Sequence, residues 1–357
     1  MTEILKIIAG FLVIMGLFLI LNRFNYHYHL FHAVLIYCIL PVLFILYIGI
    51  SAQLHQLKVI LHAIVDITVV IACISLVFWF MGELGYPANC SLLLGWGGHR
   101  VIFGFYGLYY FTQEPAHFLG TMMIRNTSIF SEAPMYSVIL TTAFIINLFY
   151  LKHNRFFRFN CLVILLTLIT TVATSGILIC FLACLGYFMY LNRDKFNRFT
   201  KKQKISYTVS SLIIILTVVS AIIINKLNTF SGSVSIRSDD IRAGLKAFIN
   251  HPFIGNGIGN NAAIKHYMAH YRLVAGGNTG FSLGLIQIMA FGGLMLLFIY
   301  LIPLIKSLLS KDYLDLYIIL LLLLMLALTI INEAPLFIFI LVFIYMKQKG
   351  FGGNFND

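Results

Sequence analysis

The feature that most constrains this chain is a series of apolar runs, most of them close to the length at which a helix crosses a bilayer. Such a helix needs about 20 mostly apolar residues. The ten runs are 4–22, 31–51, 61–81, 135–151, 157–173, 176–191, 205–225, 281–303, 314–331 and 335–346. Only 10% of the 357 residues are charged, whereas soluble domains carry about 25%. These observations exclude a water-soluble enzyme and predict an all-α polytopic membrane protein, with residues 1–357 as a single integral membrane domain.

The apolar stretch 157–191 admits two structures, one long helix or a hairpin. One helix would be about 50 Å long, whereas the hydrocarbon core is about 30 Å thick. Basic residues flank both ends of the stretch, at 152–158 and 193–204. Because Lys and Arg concentrate on the cytoplasmic side of membrane proteins, we predict a hairpin that turns at 174–176 and about 10 transmembrane helices in total.

The positions of the 24 basic residues predict the orientation of the chain. Most of them fall on the cytoplasmic side if both termini are cytoplasmic. Two large outer loops then follow, 82–134 and 226–280. The net charge of +12 is thereby explained without a nucleic-acid partner. The six cysteines do not form pairs in outer loops, and they are interpreted as small apolar core residues.

The second outer loop is cationic, and this favours an anionic partner at the outer leaflet over plain solvation of a long loop. Its basic residues are Lys226, Arg237, Arg242, Lys246, Lys265 and Arg272, against Asp239 and Asp240. We predict an amphipathic helix over 239–250, capped by Ser238. Its apolar stripe is Ile241, Leu245, Phe248 and Ile249. Arg237 would then precede the helix N-terminus, where free N–H groups favour an anion.

Two further segments of the outer loops contain unusual residues. Residues 251–260 have glycines at alternate positions but no βαβ context, so we interpret them as a loop and not as a nucleotide-binding fingerprint. The first loop is rich in aromatic residues, which suit either sugar stacking or anchoring at the membrane interface. At its end, Glu132 either pairs with Arg125 or caps the helix that begins near Pro134.

The predicted spans are poor in ionisable groups. Asp66 is the only acidic residue well inside a span. Ion-coupled transporters usually carry ionisable residues at mid-membrane. The ionisable chemistry is therefore expected on the outer face.

Three segments together resemble the O-antigen polymerase and ligase family of Wzy-like polysaccharide polymerases. The first has the pattern Arg125-x-x-Ser128-x-Phe130-x-Glu132-x-Pro134, leading into a span. The second is the Thr-rich span that ends in Thr174-Ser175-Gly176. The third is Arg237, followed fourteen residues later by His251-Pro252 and then by Gly255 and Gly257, in a large outer loop.

The resemblance implies a GT-C-like, metal-independent, inverting glycosyltransferase without a cofactor, in the bacterial cytoplasmic (inner) membrane. Its substrate would be an undecaprenyl-pyrophosphate-linked glycan, and its partners would include membrane lipid, a flippase and a chain-length regulator. Arg125 and Arg237 would match the arginines that bind the lipid pyrophosphate. Many ligases of the family carry a His-Asn pair where this chain has Phe281 and Ser282, and this difference favours a polymerase.

The implied chemistry assigns expected roles to the loop residues. Cations and N–H donors stabilise the charge that grows on a leaving phosphate, and a base takes the proton of the acceptor hydroxyl. We expect Glu132 and His251 as catalytic residues, with His266 and His270 as further candidates for the base. Arg125, Arg237 and Arg242 are expected to bind pyrophosphate, with secondary contacts from Arg100, Lys246 and Arg272. The alternatives are an O-antigen-type ligase and a lipid-linked oligosaccharide flippase or transporter.

Overall fold

The structure, a computed structural model, describes residues 1–22, 30–95, 100–118, 120–193, 231–274 and 279–352, with single positions at 198, 200, 203 and 217. Its helices are α1 (Thr2–Asn22), α2 (Leu30–Val34), α3 (Leu40–Gln53), α4 (Leu57–Glu83), α5 (Ala133–Tyr150), α6 (Phe157–Thr170), α7 (Thr174–Leu191), α8 (Ser231–Asn250), α9 (Asn261–Lys265), α10 (His270–Leu273), α11 (Gly284–Ser310), α12 (Tyr313–Leu328) and α13 (Pro335–Met346). Two π-helical segments, Leu35–Ile39 and Lys347–Phe351, continue α2 and α13.

The chain divides into two compact units. The first unit comprises 1–63 and 236–357, and the second comprises 64–235. Helix α4 begins in the first unit and continues in the second. Each unit is mainly helical.

The described helices confirm a protein with membrane-spanning character. Six are long and apolar enough to cross a bilayer: Thr2–Asn22, Phe31–Gln53, Leu57–Glu83, Ala133–Tyr150, Thr174–Leu191 and Gly284–Ser310. Helices α6 and α12 are apolar but shorter. The predicted span 205–225 lies outside the described residues, so the total of about ten spans stays a prediction.

The prediction of an all-α protein is wrong for the first loop. Residues 90–123 contain five short strands: β1 (Cys90–Leu94), β2 (Arg100–Phe105), β3 (Tyr109–Tyr110), β4 (Ala116–Phe118) and β5 (Thr121–Met123). They form an antiparallel sheet in the order β1-β2-β3 and a separate hairpin of β4 and β5. The β-branched and aromatic residues of this segment favour strands, although the segment has no long run of alternating apolar and polar residues that would predict them.

The predicted break within 157–191 is confirmed, because α6 ends at Thr170 and α7 begins at Thr174. The chain turns at 171–173, where Val172 has a φ of +52°. The turn therefore precedes the predicted position, and Thr174-Ser175-Gly176 forms the first turn of α7. Both helices pack against α5, which is the most buried of the long helices in the second unit.

Helix α11 is broken at Gly293, which has φ +61° and ψ −158°. The loop 251–260 packs against this break through backbone hydrogen bonds in both directions. Leu294 N–H donates to Pro252 O over 2.8 Å, and Gly257 N–H donates to Phe291 O over 3.0 Å. A broken helix leaves backbone groups without helical partners, and here the loop supplies them.

Buried Asn22 at the end of α1 completes this junction. Its Nδ2 donates to Ile254 O over 2.8 Å and to Phe291 O over 3.1 Å, and its Oδ1 accepts from Ile258 N–H over 3.0 Å. One side chain therefore joins α1, the loop and the broken helix. The amide suits this position because it offers both donors and an acceptor.

Candidate functional site

Helix α8 begins eight residues earlier than predicted, at Ser231 instead of Asp239, and ends at Asn250 as predicted. Ser238 is therefore an interior residue and not the N-cap. Arg237 lies inside the helix, in its second turn. The free N–H groups of a helix N-terminus belong to its first turn only, so they do not act beside Arg237.

The face of α8 that packs against the protein is not the predicted apolar stripe. Its small residues face the protein, since Ala243 and Ala247 are fully buried in a cluster with Ala290 and Phe291 of α11. The apolar stripe faces outward, with Ile249 68% exposed. Small side chains let helix backbones approach closely, and this decides which face packs.

The two aspartates of α8 form a buried network with Arg272. The guanidinium of Arg272 is only 1% exposed, and it donates to Asp240 over 2.5 Å and to Asp239 over 3.3 Å. It also donates to Gly280 O over 2.6 Å. Asp240 in turn accepts from the N–H and hydroxyl groups of Ser282. The donors of Arg272 thus bind protein atoms inside the loop, and its expected substrate contact stays a prediction.

Arg242 pairs with Asp239 at 2.6 Å and also donates to Tyr267 O. Its side chain is half-exposed. Burial would raise the pKa of Asp239, but hydrogen bonds from Ala269 N–H and from both arginines outweigh burial, so that the pKa lies below its ordinary value. Arg242 thus neutralises a buried carboxylate, and only part of its guanidinium faces solvent.

Arg237 differs from these arginines because its guanidinium forms no hydrogen bond or ion pair within the part of the chain that the structure describes. It is half-buried. Burial lowers the pKa of its guanidinium, and the charge of Asp240 acts in the opposite direction. The arrangement leaves a partly desolvated guanidinium with its donors available to an anion.

The remaining predicted residues of this loop lie on its surface. Lys246, His251, His266 and His270 are all exposed. In the glycine-containing loop beside His251, the N–H groups of residues 255–258 are not free donors, because all four bond to protein acceptors. A phosphate-binding loop needs such donors to point outward, so this segment serves as packing for the broken helix.

In the second unit, Arg125 is half-buried at the C-terminal end of α6. Its Nε donates to Thr171 O over 3.2 Å, and Asn126 N–H donates to Thr170 O over 2.9 Å. Cations and N–H groups at this end satisfy free carbonyls of a helix. Burial lowers the pKa of Arg125, and the charge of Glu132 opposes this shift.

Glu132 occupies the N-cap position of α5, which begins at Ala133. Its side chain makes no capping hydrogen bond. The helix start near Pro134 is as predicted. Arg100 begins β2 and donates to Thr112 O, so part of its guanidinium is used within the loop.

The sequence analysis missed a polar cluster of the first unit. Tyr37 donates to Glu333 Oε1 over 3.1 Å, and His32 Nε2 lies 3.0 Å from Glu333 Oε2. Tyr300 donates to Asn332 O over 2.6 Å. The feature of the sequence that could have indicated this cluster is Glu333, an acidic residue between the apolar runs 314–331 and 335–346. Among the described residues no three His, Cys, Asp or Glu side chains are placed to hold a metal ion.

Comparison with known proteins adds no assignment. No protein-family model matches the chain, and no curated protein matches it either.

Proposed function

We propose that this protein is a polysaccharide polymerase of the cytoplasmic membrane. It joins undecaprenyl-pyrophosphate-linked oligosaccharide repeat units at the outer face, for a capsule, an exopolysaccharide or O-antigen. The observation that carries the proposal is the state of Arg237: its donors are unused among the described residues, while the neighbouring carboxylates are neutralised by Arg242 and Arg272. Its spacing from His251-Pro252 is the pattern on which the family resemblance rests.

The reaction explains why such an arginine is useful. A hydroxyl of the acceptor attacks the anomeric carbon of the donor glycan, the bond to the pyrophosphate breaks, and the configuration inverts. Negative charge grows on the leaving pyrophosphate. A guanidinium that is partly desolvated before the reaction stabilises this charge more than one in bulk water does, and its planar fork can bind two phosphate oxygens at once.

The other predicted phosphate ligands contribute less in this proposal. Arg242 shares its guanidinium with Asp239, and Lys246 lies one turn further along α8, exposed. Arg242 and Lys246 both add positive charge to the loop, and the exposed Lys246 can approach an anion from the solvent side. Arg125 keeps a proposed pyrophosphate role in which its Nη groups act, because its Nε donates to Thr171 O.

Three groups are proposed as alternative proton acceptors. Glu132 and His251 follow from the sequence. The pair of His32 and Glu333 follows from its geometry, since a carboxylate 3.0 Å from an imidazole holds the ring in one orientation. His251 has no carboxylate partner among the described residues.

The test is polymer synthesis in vitro by the purified protein, with one lipid-linked repeat unit as both donor and acceptor. We expect Arg237→Ala to lower the rate by about 10²-fold or more, because a donor to the leaving group is lost. Arg237→Lys should recover only part of the rate, because it keeps the charge but not the fork. Lys265→Ala, an exposed cation of the same loop, is the control.

Full-length polymer from Arg237→Ala would remove Arg237 from the mechanism. The same assay separates the bases, because only loss of the true proton acceptor should cost about 10²-fold or more. Glu132→Gln, His251→Ala and Glu333→Gln are compared at equal protein levels. An absence of polymer from the active wild-type preparation, together with transfer to a different acceptor, would favour the ligase.

A further inference from the structure

An apolar cavity of about 480 Å³ lies within the first unit, between α1, α3, α11 and α13. Its lining includes Gly10, Met15, Ile45, Leu296 and Leu341. From Lys6 to Met15 the cavity follows α1 for roughly 14 Å. Gly10 and Ile14 line the cavity and are exposed, so the cavity can be reached from the surrounding bilayer.

One end of this cavity carries lysines. The residues that line it there are Glu3, Lys6, Tyr345 and Lys349, and the lining also includes Tyr37 and Tyr300. The ammonium groups of Lys306 and Lys349 lie 5.1 Å and 6.0 Å from the centroid of the Tyr345 ring. A single aromatic ring thus holds two like charges close together.

Lys306 and Lys349 are not held by close acidic partners, although the charge of Glu3 acts on Lys349 from a distance. Neither Lys306 nor Lys349 forms an ion pair in the part of the chain that the structure describes. Lys347, by contrast, bonds to Asp315 at 2.6 Å. Lys6 pairs with Glu3, but this pair is exposed, and such pairs bind weakly. Lys6 and Lys349 therefore line this end of the cavity and Lys306 lies beside it across the Tyr345 ring contact, so that three lysines stand against one glutamate. Two adjacent cations repel each other unless an anion lies between them.

We propose that the cavity binds one anionic phospholipid. Its phosphate lies against Lys306 and Lys349 with Lys6 nearby, and one acyl chain enters the apolar cavity toward Tyr37. The volume is within the range of specific ligand sites. Anionic lipids are abundant in the cytoplasmic leaflet, which is where the charge distribution puts these lysines. This lipid site is independent of the proposed polymerase reaction.

The test is native mass spectrometry of the full-length protein, purified in detergent and mixed with phosphatidylglycerol or phosphatidylcholine of the same acyl chains. We expect the wild type to retain at least about tenfold more phosphatidylglycerol. Gly10→Trp should abolish retention, because the indole fills the cavity. Gly16→Trp should retain the lipid: Gly16 is also on α1, has equally open space around its Cβ position, and does not line the cavity.

A second pair of variants tests the charge and does not alter the apolar lining. Lys306→Gln combined with Lys349→Gln should reduce retention of phosphatidylglycerol to that of phosphatidylcholine. Lys152→Gln combined with Lys265→Gln removes the same charge elsewhere and should change nothing. Equal retention of both lipids by the wild type would overturn the proposal, as would a lysine variant that binds normally. Displacement of phosphatidylglycerol by an equimolar polyprenyl phosphate would also overturn it and would assign the cavity to that lipid.

Discussion

Arg272 and Arg242 both contact the carboxylate of Asp239, but Arg272 is buried and Arg242 is half-exposed. We therefore expect their removal to lower the free energy of unfolding by different amounts. Arg272→Ala leaves Asp240 buried beside an empty space, and loss of one partner of a buried pair costs about 3–5 kcal/mol. Arg242 is half-exposed, so Arg242→Ala should cost about 0–1 kcal/mol. The temperature at which the detergent-solubilised protein loses its monodisperse peak measures both effects. We expect a large fall for Arg272→Ala and a small one for Arg242→Ala.

A double variant distinguishes this structural role from a role in substrate binding. Arg272→Leu with Asp240→Asn removes both charges, and it should be more stable than Arg272→Ala alone because no unpaired charge is left buried. If the stability losses caused by the Arg272 and Asp240 substitutions simply add in the double variant, the network is not stabilised by electrostatics. Normal stability of Arg272→Ala with loss of polymer would restore Arg272 as a substrate ligand.

At the scale of elements, the junction between the loop 251–260 and the broken helix α11 depends on two glycines that face each other. A Cβ atom on Gly255 would lie 2.4 Å from the backbone of Phe291, and one on Gly293 would lie 2.5 Å from the backbone of Phe253. Both residues also have positive φ, which costs other residues about 1–2 kcal/mol. We expect Gly255→Ala and Gly293→Ala each to lower the free energy of unfolding by more than this backbone strain, because the new Cβ atom also clashes with the facing backbone.

Gly10→Ala is the matched control, because nothing lies within 4 Å of its Cβ position. Thermal stability in detergent is again the measurement. If Gly293→Ala is as stable as Gly10→Ala, α11 can close into a continuous helix and the loop is not required at the break.

The sequence predicts these elements better than it predicts their partners. Apolar periodicity and charge predict the long helices, a break within 157–191 and the end of α8 at Asn250. The start of α8 is missed because Ser238 and the two aspartates resemble an N-terminal signal, whereas their partners come from Arg272 and Ser282 more than thirty residues away. The face of α8 that packs against α11 is not predicted by hydrophobicity, because the size of the side chains decides which side approaches α11.

The candidate site, too, is predicted from the sequence only as far as its residue types and not as far as their contacts. The type and spacing of Arg237 are visible in the sequence, but its lack of partners depends on how its neighbours pair. The cluster of His32, Tyr37 and Glu333 joins segments about three hundred residues apart, so no local sequence pattern predicts it.

For the whole molecule, the orientation in the membrane decides where both proposed sites act. Many large apolar side chains of α1, α3 and α4 are exposed, for example Val13 at 71% and Val59 at 65%. This exposure agrees with helices that face lipid, because soluble proteins rarely expose large contiguous apolar patches. It does not fix which end of each helix is outside, and only the charge distribution does so.

We therefore predict the labelling pattern of two exposed basic positions in a variant whose six native cysteines are replaced. Lys246→Cys should react with an impermeant maleimide in intact spheroplasts, because α8 falls in the predicted outer loop 226–280. Arg155→Cys, between α5 and α6, should react only after lysis, and this second reaction shows that the site is accessible once the reagent reaches it. The opposite pattern would put Arg237 in the cytoplasm, where a lipid-linked donor at the outer face is out of reach, and it would move Lys306 and Lys349 to the outer leaflet. The polymerase proposal would then fail, while the cavity would still bind an anionic lipid, from the other leaflet.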